Sequence, residues 1–151
     1  MKKYLIVGGS TGIGFQLVKS LVEEGHEAIV VSRTFGNLNE ILDVQYISYN
    51  VTSDEQFSLD EEIIDGFVYC PGSINLKPFQ RIKPEEFVND FELNVLGAIR
   101  VLQCVLPALK ESDQASVVSF GTVAVQQGME FTLATDITRR SASLAINTVW
   151  M

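Results

Sequence analysis

Residues 3–17, KYLIVGGSTGIGFQL, decide the fold. Tyr4-Leu5-Ile6-Val7 is a short apolar run, and the glycines Gly8, Gly9, Gly12 and Gly14 follow at once. Ile13, Leu17, Val18 and Leu21 then recur at helical spacing. Strand, glycine turn and helix in this order make the cradle that holds a pyrophosphate. Glycine permits the tight turn, and its missing side chain lets backbone N–H groups come close to an anion. The helix that follows points its positive end at the same place. Several nucleotide-binding folds share such a loop, so the rest of the chain has to narrow the reading.

Outward from this stretch, the chain alternates short β runs with helical patterns. The first helix is expected over 12–24, with Gly25 as its C-terminal cap. Ala28-Ile29-Val30-Val31-Ser32 reads as a strand buried on both faces. A short helix is expected over 35–42, a third strand over 44–49, and at most two helical turns over 54–59. Residues 63–70, interrupted by Asp65-Gly66, read as a fourth strand closing on Pro71-Gly72. Pro84 suits a first helical position, with Glu85 and Glu86 complementing the dipole behind it. Phe87, Phe91, Val95, Ile99, Leu102, Leu106 and Leu109 then form an apolar stripe that Pro107 should end or kink. Residues 116–120 read as a fifth strand and 136–150 as a final helix. The alternation implies one α/β domain over 1–151: a Rossmann-like, doubly wound parallel sheet of five strands in the order 3-2-1-4-5. Its ligand crevice falls where strands 1 and 4 diverge.

Composition agrees with one globular domain of 151 residues, 46% hydrophobic and 20% charged. A formal charge of −8 argues against a nucleic-acid partner, which needs basic patches. An anionic cofactor is compatible with that charge, because loop amides and helix ends are local devices. The chain shows no leader and no apolar run of membrane-spanning length, so a cytoplasmic protein is expected. Cys70 and Cys104 lack metal or disulfide spacing, and no metal site is expected.

Several motifs resemble those of the short-chain dehydrogenase/reductase family. Gly8-Gly9-Ser10-Thr11-Gly12-Ile13-Gly14 is similar to its GxxxGxG cofactor loop, with Val7 where Thr is usual. Asn50-Val51-Thr52 resembles its Asp-Val-Thr element, which touches the adenine. Tyr69-Cys70-Pro71-Gly72 stands in the place of Asn-Asn-Ala-Gly and keeps only Gly72. Phe91-Glu92-Leu93-Asn94-Val95-Leu96-Gly97 resembles the stretch carrying the active-site Asn. The resemblance covers about residues 3–125.

Other glycine-loop readings fit less well. A P-loop needs Gly-Lys-Ser/Thr, and none follows Gly8. A methyltransferase or an NAD-preferring site usually carries an acid at the end of strand 2. Here Ser32-Arg33 stands there, and a guanidinium can pair with a 2′-phosphate in forked geometry, favouring NADP over NAD. The expected cofactor residues are therefore Gly8, Ser10, Thr11, Gly12, Ile13, Gly14, Ser32, Arg33, Asn50, Val51 and Gly72.

The resemblance also implies a reaction, hydride transfer between NADP(H) and a small carbonyl or alcohol, carried by Asn, Ser, Tyr and Lys. Asn94 matches the Asn. Thr122 falls at the Ser position and keeps a hydroxyl. The Tyr-x-x-x-Lys pair is missing, and counting on from Thr122 puts Thr135 and Arg139 at its places. An aliphatic hydroxyl cannot do the work of a phenol of pKa about 10 brought down by an ammonium. The family fold further implies strands after the fifth, a substrate lid and a closing helix, none of which fits within 151 residues. Three readings stand: an NADP-dependent reductase with an impaired proton relay, a non-catalytic nucleotide-binding or interaction module, and a truncated or frame-shifted relative. The stripe from Phe87 to Leu109 makes a homo-oligomer through that helix an expectation as well.

Overall fold

The computed structural model describes residues 1–121 and Ser141. Among them, β1 (Lys3–Val7), β2 (Glu27–Ser32), β3 (Gln45–Ser48), β4 (Gly66–Tyr69) and β5 (Ser116–Ser119) form one parallel sheet in the order β3-β2-β1-β4-β5. This is the expected doubly wound arrangement. Register lines up the strand ends: Val7 lies level with Val31 on one side and Tyr69 on the other, and Tyr69 with Ser119. The loops that follow β1, β2 and β4 therefore leave the sheet from a common edge.

Alternation along the strands divides the core into two layers. Leu5, Val7, Ile29, Val31, Phe67 and Tyr69 face the layer that holds Ala98, Val101, Leu102 and Val105. Ile6, Ala28, Val30 and Val68 face Phe15 and Val18 of α1 (Gly12–Glu23). Both faces being covered explains why β1 and β2 read as unbroken apolar runs. Burial of each such Val, Leu or Ile stabilises the fold by about 1.5–3 kcal/mol relative to leaving it exposed.

The long helix is compound. Pro84 opens α2 (Pro84–Phe91), where Glu86 Oε2 accepts from the Lys83 N–H at 3.0 Å. One π turn, Glu92–Leu96, follows, and α3 (Gly97–Lys110) continues from it. Its inward face carries Asp90, Asn94, Ala98, Val101, Leu102, Val105 and Leu109, all buried. The expected stripe is corrected at its start: Phe91 is 39% exposed, and Asp90 takes the inward place. Apolarity alone had pointed Phe91 inward, whereas the sheet-facing side runs through the polar Asp90 and Asn94. Pro107 does not end the helix, which runs on to Lys110; the proline lies on the exposed side. Because the π turn joins both segments, residues Pro84–Lys110 form 27 residues of helix with a stretch of mean hydropathy 1.4. That is long and apolar enough to cross a membrane by length and composition, contrary to the expectation of no such run. Half of that stretch is buried in the protein, as in a core helix.

Three smaller expectations are also corrected. The helix over 35–42 shrinks to a single 3-10 turn, Leu38–Glu40, because the Asn37 N–H is donated to the Ser10 carbonyl instead (2.9 Å). Residues 54–59 form no helix: Phe57 is buried against the Tyr49 ring, and Tyr49 Oη donates to the Glu55 carbonyl at 2.8 Å. The fourth strand starts only at Gly66, after Asp65 has accepted the Lys3 N–H on its side chain (2.8 Å). The helix expected over 136–150 lies outside the described residues.

Candidate functional site

A cleft of about 900 Å³ opens where the loops after β1, β2 and β4 diverge, within the ~300–1,000 Å³ range of small-molecule sites. Its first wall is the turn between β1 and α1. The Gly8 N–H donates to the Val31 carbonyl at 2.7 Å, tying the turn to β2. Gly14 packs so closely under the turn that a Cβ there would lie 2.4 Å from the Gly8 carbonyl oxygen. Gly12 sits at φ +59°, where a Cβ would meet nothing within 4 Å, because that side is open cleft. Thr11 leads into α1 with no side-chain cap, and no acidic residue stands in the first turn. The start of α1 therefore presents its positive end to the cleft, uncompensated by a side chain. Ser10 is buried and its carbonyl holds the Asn37 N–H; Ile13 projects into the opening, 69% exposed.

The second wall comes from β2 and β3. Ser32 Oγ donates to the Thr34 carbonyl at 2.8 Å, bending the chain so that Arg33 borders the cleft. Arg33 is exposed and makes no ion pair among the described residues. Asn50 Oδ1 accepts from the backbone N–H and Oγ1 of Thr52, at 3.2 and 2.9 Å. The amide nitrogen is the part of Asn50 that this turn does not use. Val51 is buried, and its carbonyl accepts from Arg100 Nη1 at 3.1 Å while Glu92 holds the same nitrogen at 2.8 Å.

The third wall joins β4 to the long helix. Tyr69 is buried and its Oη donates to the Leu93 carbonyl at 2.6 Å, inside the π turn. Gly97 makes room for it, since a Cβ there would lie 2.6 Å from that oxygen. A side chain inserted into the helical ladder is a recognised cause of local distortion, and this hydroxyl enters where the π turn lies. Burial raises the Tyr69 pKa well above the ordinary phenol value, so this tyrosine carries no proton traffic near neutral pH. Cys70, Pro71, Gly72 and Ser73 continue along the cleft, and burial pushes the Cys70 thiol up to about 11. The Ser73 N–H donates to Asn94 Oδ1 at 3.2 Å, and Asn94 Nδ2 donates to Ser73 Oγ at 3.3 Å. Ser73 Oγ in turn donates to Asp90 Oδ1 at 2.5 Å.

Gly8, Ser10, Thr11, Gly12, Ile13, Gly14, Ser32, Arg33, Asn50, Val51 and Gly72 all line this one cleft. Asn94 does not: it is 4% exposed and stands behind Ser73. Thr122 lies outside the described residues; Phe120 and Gly121, which lead to it, line the cleft. Sequence reasoning missed Ser73 and Asp90. One signal for Asp90 was present, two polar residues one helical turn apart, Asp90 and Asn94, in line with the apolar Ala98 and Val101 further along the helix.

The family model of short chain dehydrogenases matches residues 2–134. An uncharacterized oxidoreductase of Schizosaccharomyces pombe is 30% identical over 141 residues, a match covering 83% of this chain and 56% of that protein. A 3-dehydrosphinganine reductase of Arabidopsis thaliana is 28% identical over 135 residues, covering 82% of this chain and 41% of its own. The chain spans about half the length of these curated relatives. Among solved structures, a short chain dehydrogenase of Shigella flexneri 2a complexed with NADP superimposes with a TM-score of 0.89 at 17% identity, over 98% of this chain and 70% of that one. A short chain dehydrogenase of Escherichia coli CFT073 gives 0.87 at 17% identity, over 98% and 73%. At such identities the structural likeness speaks for the fold.

Proposed function

The chain belongs to the short-chain dehydrogenase family, and on that premise we propose that it binds NADP(H) in the cleft at the edge of the sheet. One observation carries the reading: the uncapped start of α1 and Arg33, which has no ion-pair partner among the described residues, face the same cleft, so the pyrophosphate and the 2′-phosphate of the dinucleotide both find complementary charge. The N–H groups of the turn from Gly8 to Gly14, with Ser10 and Thr11, hold the pyrophosphate; Ile13 covers it. Arg33, beside Ser32, pairs with the 2′-phosphate. Asn50 and Val51 flank the adenine, and Gly72 leaves room for the nicotinamide half.

NADPH bound there supplies a hydride to a carbonyl carbon, and NADP⁺ accepts one from an alcohol. The protein's part is to orient the reacting groups and to move the accompanying proton. Asn94 acts through Ser73, and Thr122 supplies a hydroxyl. Without Tyr-x-x-x-Lys the proton step is impaired, so turnover is slow or lost while binding persists. We further assign this protein to the cytoplasm and self-association to the long helix, whose Val88 and Phe91 face outward.

Calorimetry with NADP and NAD tests the binding, alongside NADPH oxidation against a carbonyl panel. The expected result is NADP bound at least about tenfold tighter than NAD, with weak or undetectable turnover. Failure of both nucleotides to bind overturns the reading. Fast turnover that depends on Asn94 or Thr122 overturns the impairment, and binding without turnover identifies the non-catalytic module.

A further inference from the structure

We propose that Asp90, held by Ser73, forms a subsite in the cleft for a hydrogen-bond donor on the substrate, an ammonium or hydroxyl group adjacent to the reacting carbon. Asp90 is 6% exposed, yet it borders the cleft together with Ser73 and Asn89. Its Oδ1 is committed to Ser73 Oγ at 2.5 Å, and its Oδ2 is buried with no partner among the described residues. A carboxylate oxygen shut away from water without a donor is costly, and native proteins retain such groups where something else uses them. Packing does not ask for it. The same helix face is filled elsewhere by Ala98, Val101, Leu102 and Val105.

Ser73 is what makes the oxygen usable. Its N–H and hydroxyl are both anchored on Asn94, at 3.2 and 3.3 Å, and its own proton goes to Asp90, so the carboxylate is fixed in orientation before any ligand arrives. A preorganised acceptor in a low-dielectric wall discriminates strongly between a ligand with a donor and its isostere without one. The inference deepens the proposed function and rests on the cleft being where substrate meets nucleotide.

The test uses three small alcohols that share a secondary alcohol and differ on the next carbon: 1-amino-2-propanol, 1,2-propanediol and 2-butanol. Their binding to the full chain is titrated by ligand-observed NMR, with and without NADP. The amino alcohol and the diol are expected to bind at least about tenfold tighter than 2-butanol. Asp90→Asn, which keeps an acceptor for Ser73 while removing the charge, should erase the ammonium advantage without lowering the melting temperature. Ser73→Ala should weaken the preference and leave the fold intact. Equal binding of all three alcohols overturns the subsite. So does an unchanged preference in Asp90→Asn, or a lower melting temperature there with no change in preference. Nucleotide binding without the donor preference removes the subsite alone; the donor preference without nucleotide binding removes the nucleotide reading and leaves the subsite standing.

Discussion

The first and third walls of the cleft are built by different means. On the β1–α1 side, backbone does the shaping: a seven-residue turn, Gly8 to Gly14, closes on itself with main-chain atoms in contact. On the β4 side, side chains do it, with Tyr69 reaching Leu93 and Ser73 reaching Asp90 and Asn94 across 17 to 24 residues of sequence. A backbone wall tolerates almost nothing at its glycines and almost anything at the residues pointing away. A side-chain wall tolerates conservative changes but is coupled, so its residues have to be judged together.

The hardest blow to the first wall is Gly14→Ala. The new Cβ meets a carbonyl oxygen at 2.4 Å, and neither partner is a flexible side chain. Overpacking of this kind costs about 3 kcal/mol, and the turn that would hold the pyrophosphate shifts with it. Urea unfolding should show the loss and calorimetry should show no nucleotide bound. Gly12→Ala is the contrast. It has open space and only its φ of +59° to oppose it, so about 1 kcal/mol is expected in stability. If both variants are equally stable, the turn is softer than its contacts state.

Arg33→Ala turns to the wall from β2 and β3 and tests it by charge instead of shape. Arg33 is exposed and holds no ion pair among the described residues, so stability should stay within about 0.5 kcal/mol. Affinity for NADP should fall about thirtyfold, roughly 2 kcal/mol for a charged hydrogen-bonding contact, with NAD affinity unchanged. Equal losses for both nucleotides would mean that Arg33 does not read the 2′-phosphate.

The same contrast explains what could be read from the sequence. The strand order follows from alternating β and helical patterns plus the crossover rule, and the structure has it. The glycine turn is a local signal, with every residue of it within seven positions. The β4 wall is not local. Nothing near Tyr69 announces a hydroxyl inserted into a helix turn 24 residues later, and nothing near Asp90 announces Ser73. The helix misled in a specific way: its apolar stripe was drawn through Phe91, while the polar pair Asp90 and Asn94 holds the inward face. A rule that reads apolar as buried fails where a buried face has been given polar residues, and such places cluster at sites.

Tyr69 and Gly97 sharpen the comparison from the third wall. Tyr69→Phe removes the bond to Leu93 and leaves a carbonyl short of a donor, a loss of about 1–2 kcal/mol. Gly97→Ala puts a methyl 2.6 Å from the hydroxyl and 2.9 Å from a Val51 methyl, with a similar loss. The double variant should be less destabilised than the two losses added, because deleting the hydroxyl removes the nearest clash. Strict additivity in urea unfolding would show that the two residues act separately, and with it the inserted hydroxyl would cease to explain the π turn.

Cys70, whose N–H donates to the Val7 carbonyl at 2.9 Å where the first and third walls adjoin, gives the smallest effect. Burial raises its thiol from the ordinary 9.0 to about 11, and Tyr69 beside it is shifted the same way. Between those values the unfolded chain has lost the thiol proton and the folded chain has kept it, so unfolding releases a proton and stability falls as pH rises. The contribution is complete below pH 9 and gone above pH 11. Cys70→Ser removes the thiol from this balance, and its stability should decline less between pH 9 and 11 than that of the parent. The thiol should also react slowly with iodoacetamide at pH 7.5, since the nucleophile is the thiolate, and more slowly again with NADP bound, because Cys70 lines the cleft. Rapid alkylation at pH 7.5 that NADP leaves untouched would place this thiol outside the surroundings that burial gives it here, and the nucleotide outside the cleft.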